Sequence, residues 1–139
     1  MIVLDTSVAF ALLRRGDAHH ERVRAWFETS DEPLTTTPLA LAELDHLLLG
    51  SGGPAVAQAW YEDLSAGAYV VEWWSTALRE TLSVAQRHAS LPLGLADASL
   101  VALAARLGTT QVATLDERHF RAVKPLTGER AFVLLPTDA

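Results

Sequence analysis

Ile2-Val3-Leu4-Asp5-Thr6-Ser7-Val8-Ala9-Phe10-Ala11-Leu12-Leu13 opens the chain with a β-branched apolar run, a polar break of three residues and a second apolar run. The first run predicts a buried strand over 2–4 and the second a helix over 8–13, with almost no loop between them. A strand that feeds straight into a helix is the first half of a βαβ unit, whose return strand runs parallel. The acid at the junction, Asp5, then sits at the carboxyl end of a strand, where ligands gather in open parallel sheets.

The same alternation continues outward from this unit. Asp17 is placed to cap a second helix carrying Val23, Trp26 and Phe27 at helical spacing, which ends over 28–33. Leu34-Thr35-Thr36 reads as a strand, and Thr37 followed by Pro38 signals the N-cap and first turn of a helix to Leu49, stopped by Gly50-Ser51-Gly52-Gly53-Pro54. A helix over 55–64, a strand over 68–71 and a helix over 75–88 follow. After a turn through Leu91-Pro92-Leu93-Gly94, a helix over 95–107 is closed by Gly108. Strands over 111–114 and 131–134 bring the total to five. Strands alternating with helices predict a mostly parallel sheet covered on both faces, a three-layer α/β/α sandwich. Asp116 falls just past the fourth strand, as Asp5 falls just past the first.

The chain has 139 residues, the size of one ordinary domain, here expected to span 1–139. Half the residues are hydrophobic and a fifth charged, a globular balance that excludes a disordered chain. Cysteine is absent, which removes disulfides, thiol chemistry and thiolate metal sites and fits an intracellular, cytoplasmic protein. The apolar start, Met1-Ile2-Val3-Leu4, is too short for a signal sequence, and no stretch has the length of a membrane span. The formal charge of −6 disfavours nucleic acid, but it is unevenly divided. Residues 1–74 hold 4 cations against 11 carboxylates, whereas 75–139 hold 7 against 6, so a polyanion-facing surface is expected in the second half.

Each prominent acid has a local structural explanation. Asp5 and Asp116 can cap the helices that follow them, and Asp97 lies in the first turn of its helix, where the macrodipole favours a carboxylate. What capping does not explain is facing. Beyond Asp97 the stripe Leu100, Val101, Ala104, Leu107 predicts that it lies on the buried side, and Leu39 and Leu47, four residues either side of Glu43, predict the same for that acid. Converging ionised carboxylates need neutralising, and no basic residue lies close in sequence to the four. A hard divalent cation meets the need, and oxygen ligands without cysteine suit Mg²⁺ or Mn²⁺.

At this point the chain resembles a PIN-domain nuclease, nearest to the VapC toxins of bacterial toxin–antitoxin pairs. The resemblance rests on Leu4-Asp5-Thr6-Ser7, on Leu41-Ala42-Glu43-Leu44-Asp45, on Leu95-Ala96-Asp97-Ala98-Ser99-Leu100, and on Thr114-Leu115-Asp116-Glu117-Arg118-His119-Phe120. It implies a five-stranded sheet in the order 3-2-1-4-5. It implies Asp5, Glu43, Asp97 and Asp116 as catalytic metal-binding residues, Thr6 or Ser7 as a hydroxyl near the metal, and Thr114 as a support of the last loop. The activity implied is metal-dependent endoribonucleolytic hydrolysis by an activated water, leaving 5′-phosphate and 3′-hydroxyl ends. The partners implied are RNA, a VapB-type antitoxin and a second copy in a homodimer.

Arg118, Arg121, Lys124 and Arg130 form a basic stretch just past Asp116 and are candidate RNA-backbone contacts. Asp45, two residues beyond Glu43, points away from it on a helix and is left outside the metal shell. His19-His20-Glu21 reads as a solvated helix start rather than a metal cluster. Of the adjacent Trp73 and Trp74, one is expected at a surface. Two other function classes compete. A non-catalytic module of the same fold would bind RNA or protein without turnover, and a phosphotransfer enzyme would use Asp5 as nucleophile but would want a second acid where Ser7 stands.

Overall fold

The computed structural model describes residues 1–51 and 53–139. β1 (Ile2–Leu4), β2 (Leu34–Thr36), β3 (Val70–Val71), β4 (Gln111–Ala113) and β5 (Val133–Leu135) form one all-parallel sheet in the order β3-β2-β1-β4-β5, as the family resemblance implies. Around it lie α1 (Thr6–Leu13), α2 (His20–Thr29), α3 (Pro38–Leu47), α4 (Pro54–Ser65), α5 (Ala77–Arg87), α6 (Leu95–Leu107) and α7 (Glu117–Ala122).

The period of two along the strands divides the interior into two layers. Ile2 and Leu4 point into a cluster with Val8, Val23, Leu44 and the fully buried Trp60, while Val3 points the other way among Leu100, Val101, Val112, Phe120 and Leu134. Both sheet faces are thus covered, which gives the predicted α/β/α sandwich. Central β1 is buried at every residue, and α6 is buried from Ala98 through Ala104 as it crosses the sheet. Gly108 closes α6 in the left-handed conformation at φ 66°, which a residue with a Cβ adopts only under strain.

Several boundaries move, each for a local reason. The helix expected to reach Leu49 ends at Leu47 and continues as a π-helical turn, Leu48–Gly52, which keeps Leu48 in the core before Gly53 turns the chain into Pro54. Pro54 then takes the first helical position, so α4 starts one residue earlier than expected. Asp17 does not cap α2 directly. Its carboxylate accepts the His19 N–H at 2.8 Å in a turn, and the helix begins at His20. β3 is shorter than expected, pairing only Val70 and Val71 with Thr35 and Thr36. β5 lies two residues further on than its predicted start, because Leu135 pairs with Ala113 while Phe132 packs before the ladder begins.

Candidate metal centre

All five strands run the same way, so their carboxyl ends share one edge of the sheet. Asp5, Thr37 and Thr114 are the first residues past β1, β2 and β4, and β1 and β4 are neighbours. The Asp5 N–H donates to the Ala113 carbonyl at 3.0 Å, which fixes the Asp5 side chain beside that of Thr114.

Asp5 is 3% exposed and caps α1. Its Oδ1 accepts the Thr6 N–H at 2.8 Å, and its Oδ2 accepts the hydroxyls of Ser7 and Thr114, both at 2.7 Å. Each hydroxyl has one proton, given to Asp5, and so turns its lone pairs elsewhere. Ser7 Oγ accepts the Leu115 N–H at 2.9 Å and Thr114 Oγ1 accepts the Asp116 N–H at 2.9 Å. The two side chains therefore tie Asp5 to the loop that carries Asp116. Burial pushes the Asp5 pKa up, the three hydrogen bonds pull against it, and the charge of Asp116 adds to the rise. The Thr6 hydroxyl faces away, donating to the Ala40 carbonyl at 3.3 Å.

Asp97 stands in the first turn of α6 with its side chain 15% exposed. Its pKa is pushed up to about 6, chiefly by burial and then by the charges of Asp5, Asp116 and Glu43, with His119 acting in the opposite direction. The fields of the other three predicted acids thus meet at this one carboxylate. Asp116 caps α7, accepting the His119 N–H on Oδ1 at 3.1 Å, and leaves Oδ2 turned toward Asp97.

Glu43 requires a correction. The buried face of α3 is Ala40 and Leu44, with Leu48 beyond, whereas Glu43 is exposed and Leu47 is 39% exposed. Leu39 and Leu47 are not the core stripe, because apolar residues surround α3 and packing selects the face of Ala40 and Leu44. Glu43 reaches Asp97 through its charge, from the rim. Asp45 lies outside the cluster, accepting the hydroxyl of Tyr61.

The feature missed in the sequence is His119. Its ring Nδ1 lies 3.0 Å from Asp97 Oδ2 and 2.9 Å from Asp116 Oδ2, so a basic group does sit among the acids. The spacing Asp116-Glu117-Arg118-His119 was the available signal, since one helical turn brings the ring back over the capping acid. A second missed feature lies beneath. Ser99 Oγ donates to the Ala96 carbonyl at 2.6 Å, so the Thr37 hydroxyl, 2.7 Å away, must donate to Ser99, and Thr37 Oγ1 in turn accepts the Ala40 N–H. This fully buried relay joins the starts of α3 and α6.

Residues 2–125 match the family model of the PIN domain. The chain belongs to the PIN-domain family. Over 136 residues, 97% of this chain and all of the relative, this PIN domain is 29% identical to Ribonuclease VapC26 of Mycobacterium tuberculosis. The crystal structure of VapC20 from the same organism, described as a toxin cleaving the sarcin–ricin loop, superposes with a TM-score of 0.77 at 23% identity, covering 84% of this chain and 90% of that one. FitAcB from Neisseria gonorrhoeae superposes at 0.58 with 26% identity over 86% of this chain and 91% of that one.

In this PIN domain the carboxylates fit a divalent cation on chemical grounds. Asp97 and Asp116 can offer oxygens from two helix starts, Asp5 lies alongside, and their mutual repulsion is already visible in the raised Asp97 pKa. Of the basic stretch, Arg118 and Lys124 are exposed and, among the described residues, make no ion pair. Arg130 is likewise exposed. Arg121 is turned away to the C-terminal segment, holding both carboxylate oxygens of Asp138 at 2.9 and 2.6 Å. His20, expected at a solvated helix start, is instead buried with Nδ1 2.8 Å from the Ala11 carbonyl. Trp73 is exposed and Trp74 half-buried, as their adjacency requires. Among the described residues no helix is long and apolar enough to cross a membrane.

Proposed function

We propose that this PIN domain is a metal-dependent endoribonuclease, the toxin of a VapC-type toxin–antitoxin pair, hydrolysing RNA phosphodiesters to 5′-phosphate and 3′-hydroxyl ends. The observation that carries the reading is the convergence of Asp5, Asp116 and Glu43 on Asp97 at the carboxyl edge of the sheet. Four acids within electrostatic reach of each other hinder a purely structural role and suit binding of a cation. The ribonuclease name of a relative aligned over nearly the whole chain supports RNA as the substrate.

In this reading Asp5, Asp97 and Asp116 hold Mg²⁺ or Mn²⁺, with Glu43 at the rim. The ion supplies Lewis acidity, polarising the scissile phosphate and making an attacking water more acidic. The chain's own residues do the rest. Thr114 and Ser7 oppose the rise in the Asp5 pKa that burial causes and aim its carboxylate by donating both their protons to it. Glu43, exposed beside the acids, is placed to orient water. Arg118 and Lys124, free on the surface past Asp116, meet the RNA backbone, and Arg121 contributes to RNA binding only as far as Asp138 releases it. A VapB-type antitoxin and a homodimer complete the assembly, supported by exposed apolar side chains on two faces, Phe27 on α2 and Leu78 with Leu82 on α5. An RNA substrate supports a cytoplasmic location.

The test is cleavage of a structured RNA by the purified chain. Activity is expected to disappear in EDTA, to return with excess Mn²⁺ or Mg²⁺, to be absent in Asp97→Asn, and to leave ends that ligate only where a 5′-phosphate is present. Cleavage that persists in chelator, or 2′,3′-cyclic phosphate ends, would overturn the reading.

A further inference from the structure

The same edge of the sheet holds a nitrogen ligand. We infer that His119 joins Asp97 and Asp116 on the metal, with Asp5 alongside, making it a mixed site of carboxylates and one imidazole that takes Mn²⁺ in preference to Mg²⁺. The inference deepens the proposed nuclease reading and rests on it for the acids.

Three observations carry it. First, the distances match coordination. Adjacent ligands on an octahedral ion bonded at about 2.1 Å lie about 3.0 Å apart, and His119 Nδ1 stands 3.0 Å from Asp97 Oδ2 and 2.9 Å from Asp116 Oδ2. One ligand atom from each of the three residues falls within 4.8 Å of the other two, close enough for the three to share an ion. Second, the ring is held there by the backbone. His119 lies in α7, its own N–H is fixed by Asp116 Oδ1 at 3.1 Å, and the next residue, Phe120, is buried against Phe132. Its Nδ1 is therefore presented to the acids without a long flexible arm. Third, the ligand atoms differ in kind. The other donors are carboxylate oxygens, which serve Mg²⁺ and Mn²⁺ alike, whereas an imidazole nitrogen suits first-row transition ions and is a poor exchange for water on Mg²⁺. Without an ion Nδ1 donates its proton to the carboxylates; binding of the ion would displace that proton to solvent, leaving the neutral ring protonated on Nε2 with the Nδ1 lone pair on the metal.

The experiment uses the full chain loaded with Mn²⁺ and reads the ion directly. Pulsed electron paramagnetic resonance is expected to show ¹⁴N modulation on the bound Mn²⁺, replaced by a ¹⁵N pattern when histidine is ¹⁵N-labelled, and lost in His119→Gln. Calorimetric titration is expected to show Mn²⁺ binding at least about tenfold more tightly than Mg²⁺ in the wild type, with His119→Gln weakening Mn²⁺ by about 10–100-fold and Mg²⁺ much less. Mn²⁺ bound in an Asp97-dependent manner without nitrogen modulation overturns the inference and leaves the nuclease reading standing. Nitrogen-coupled Mn²⁺ in a chain that cleaves no RNA does the reverse. The labelling arm needs no variant, so a His119→Gln protein that fails to fold still leaves the inference refutable, and wild-type protein that binds no Mn²⁺ refutes it outright.

Discussion

Replacing Asp97 with Asn is expected to make the metal-free protein more stable at alkaline pH. The Asp97 carboxyl is displaced from 3.8 to about 6, so the folded state holds that proton more tightly than the unfolded state does. Below about pH 4 the group is protonated in both states and costs nothing. As the pH rises from there to about 6, the unfolded chain releases the proton before the folded one, and stability falls; above that the fold carries the whole penalty. At about 1.4 kcal/mol per pH unit the penalty is about 3 kcal/mol. Asn has the same shape and cannot ionise, so Asp97→Asn removes it. In a chain of this size the gain corresponds to a rise in Tm of roughly 10 °C. The assay is thermal and urea unfolding in EDTA, at about pH 8 and about pH 4, where the difference between the proteins should appear and vanish respectively. Mn²⁺ at a hundred times its Kd should close the gap, since only the wild type gains about 3 kcal/mol from the ion, and at about a thousand times its Kd, where the gain is about 4 kcal/mol, the order should reverse. A variant that is no more stable at alkaline pH in chelator, or equally stabilised at both pH values, would refute the claim that repulsion and burial at Asp97 strain the fold.

Thr114→Val removes one of the two hydroxyls that donate to Asp5 and should lower kcat by roughly 10–100-fold, the worth of a hydrogen bond to a charged group, with Thr114→Ser restoring most of it. Ser99→Ala leaves the buried Thr37 hydroxyl without its acceptor and should cost about 1–3 kcal/mol in urea unfolding, while the Thr37→Val, Ser99→Ala pair costs less than the two singly added. For RNA binding, Arg118→Ala and Lys124→Ala should each reduce the slope of log affinity against log salt by about 1, and Arg121→Ala by less, since its guanidinium is held by Asp138.

The fold was legible where the sequence carries punctuation. Thr37-Pro38 and Gly108 mark helix ends that the structure reproduces, and the short run Ile2-Val3-Leu4 between polar neighbours has one reading. Where apolar residues are continuous the register was not. Phe132 through Leu135 fits a strand begun at several positions, and only pairing with β4 decides among them. Glu43 shows the same weakness on a helix. Leu39, Leu41, Leu44, Leu47 and Leu48 surround α3 with apolar residues, so a stripe drawn through any pair looks like the core, and tertiary contact selected Ala40 and Leu44. Residue physics located Asp5 and Asp116 at strand ends and Asp97 on a buried helix, and the family resemblance joined them with Glu43 into one site. His119 escaped both routes, because its partner Asp97 is twenty-two residues away and only packing brings them together.

The three inner acids are not equivalent in what the protein gives them, and the inequality suits their shared task. Asp5 receives three protein donors and is held rigidly, while Asp116 receives a backbone N–H as a helix cap. Asp97 receives His119 and, among the described residues, no other hydrogen-bond donor, although it feels the other three charges. A carboxylate already satisfied by its own chain gains least from an added cation, and one left short of donors among like charges gains most. The binding energy of the proposed ion would therefore be concentrated on Asp97. In the proposed metal site the rigidly held Asp5 and Asp116 would fix where the ion sits, and Asp97, on the separate α6, would make its arrival favourable.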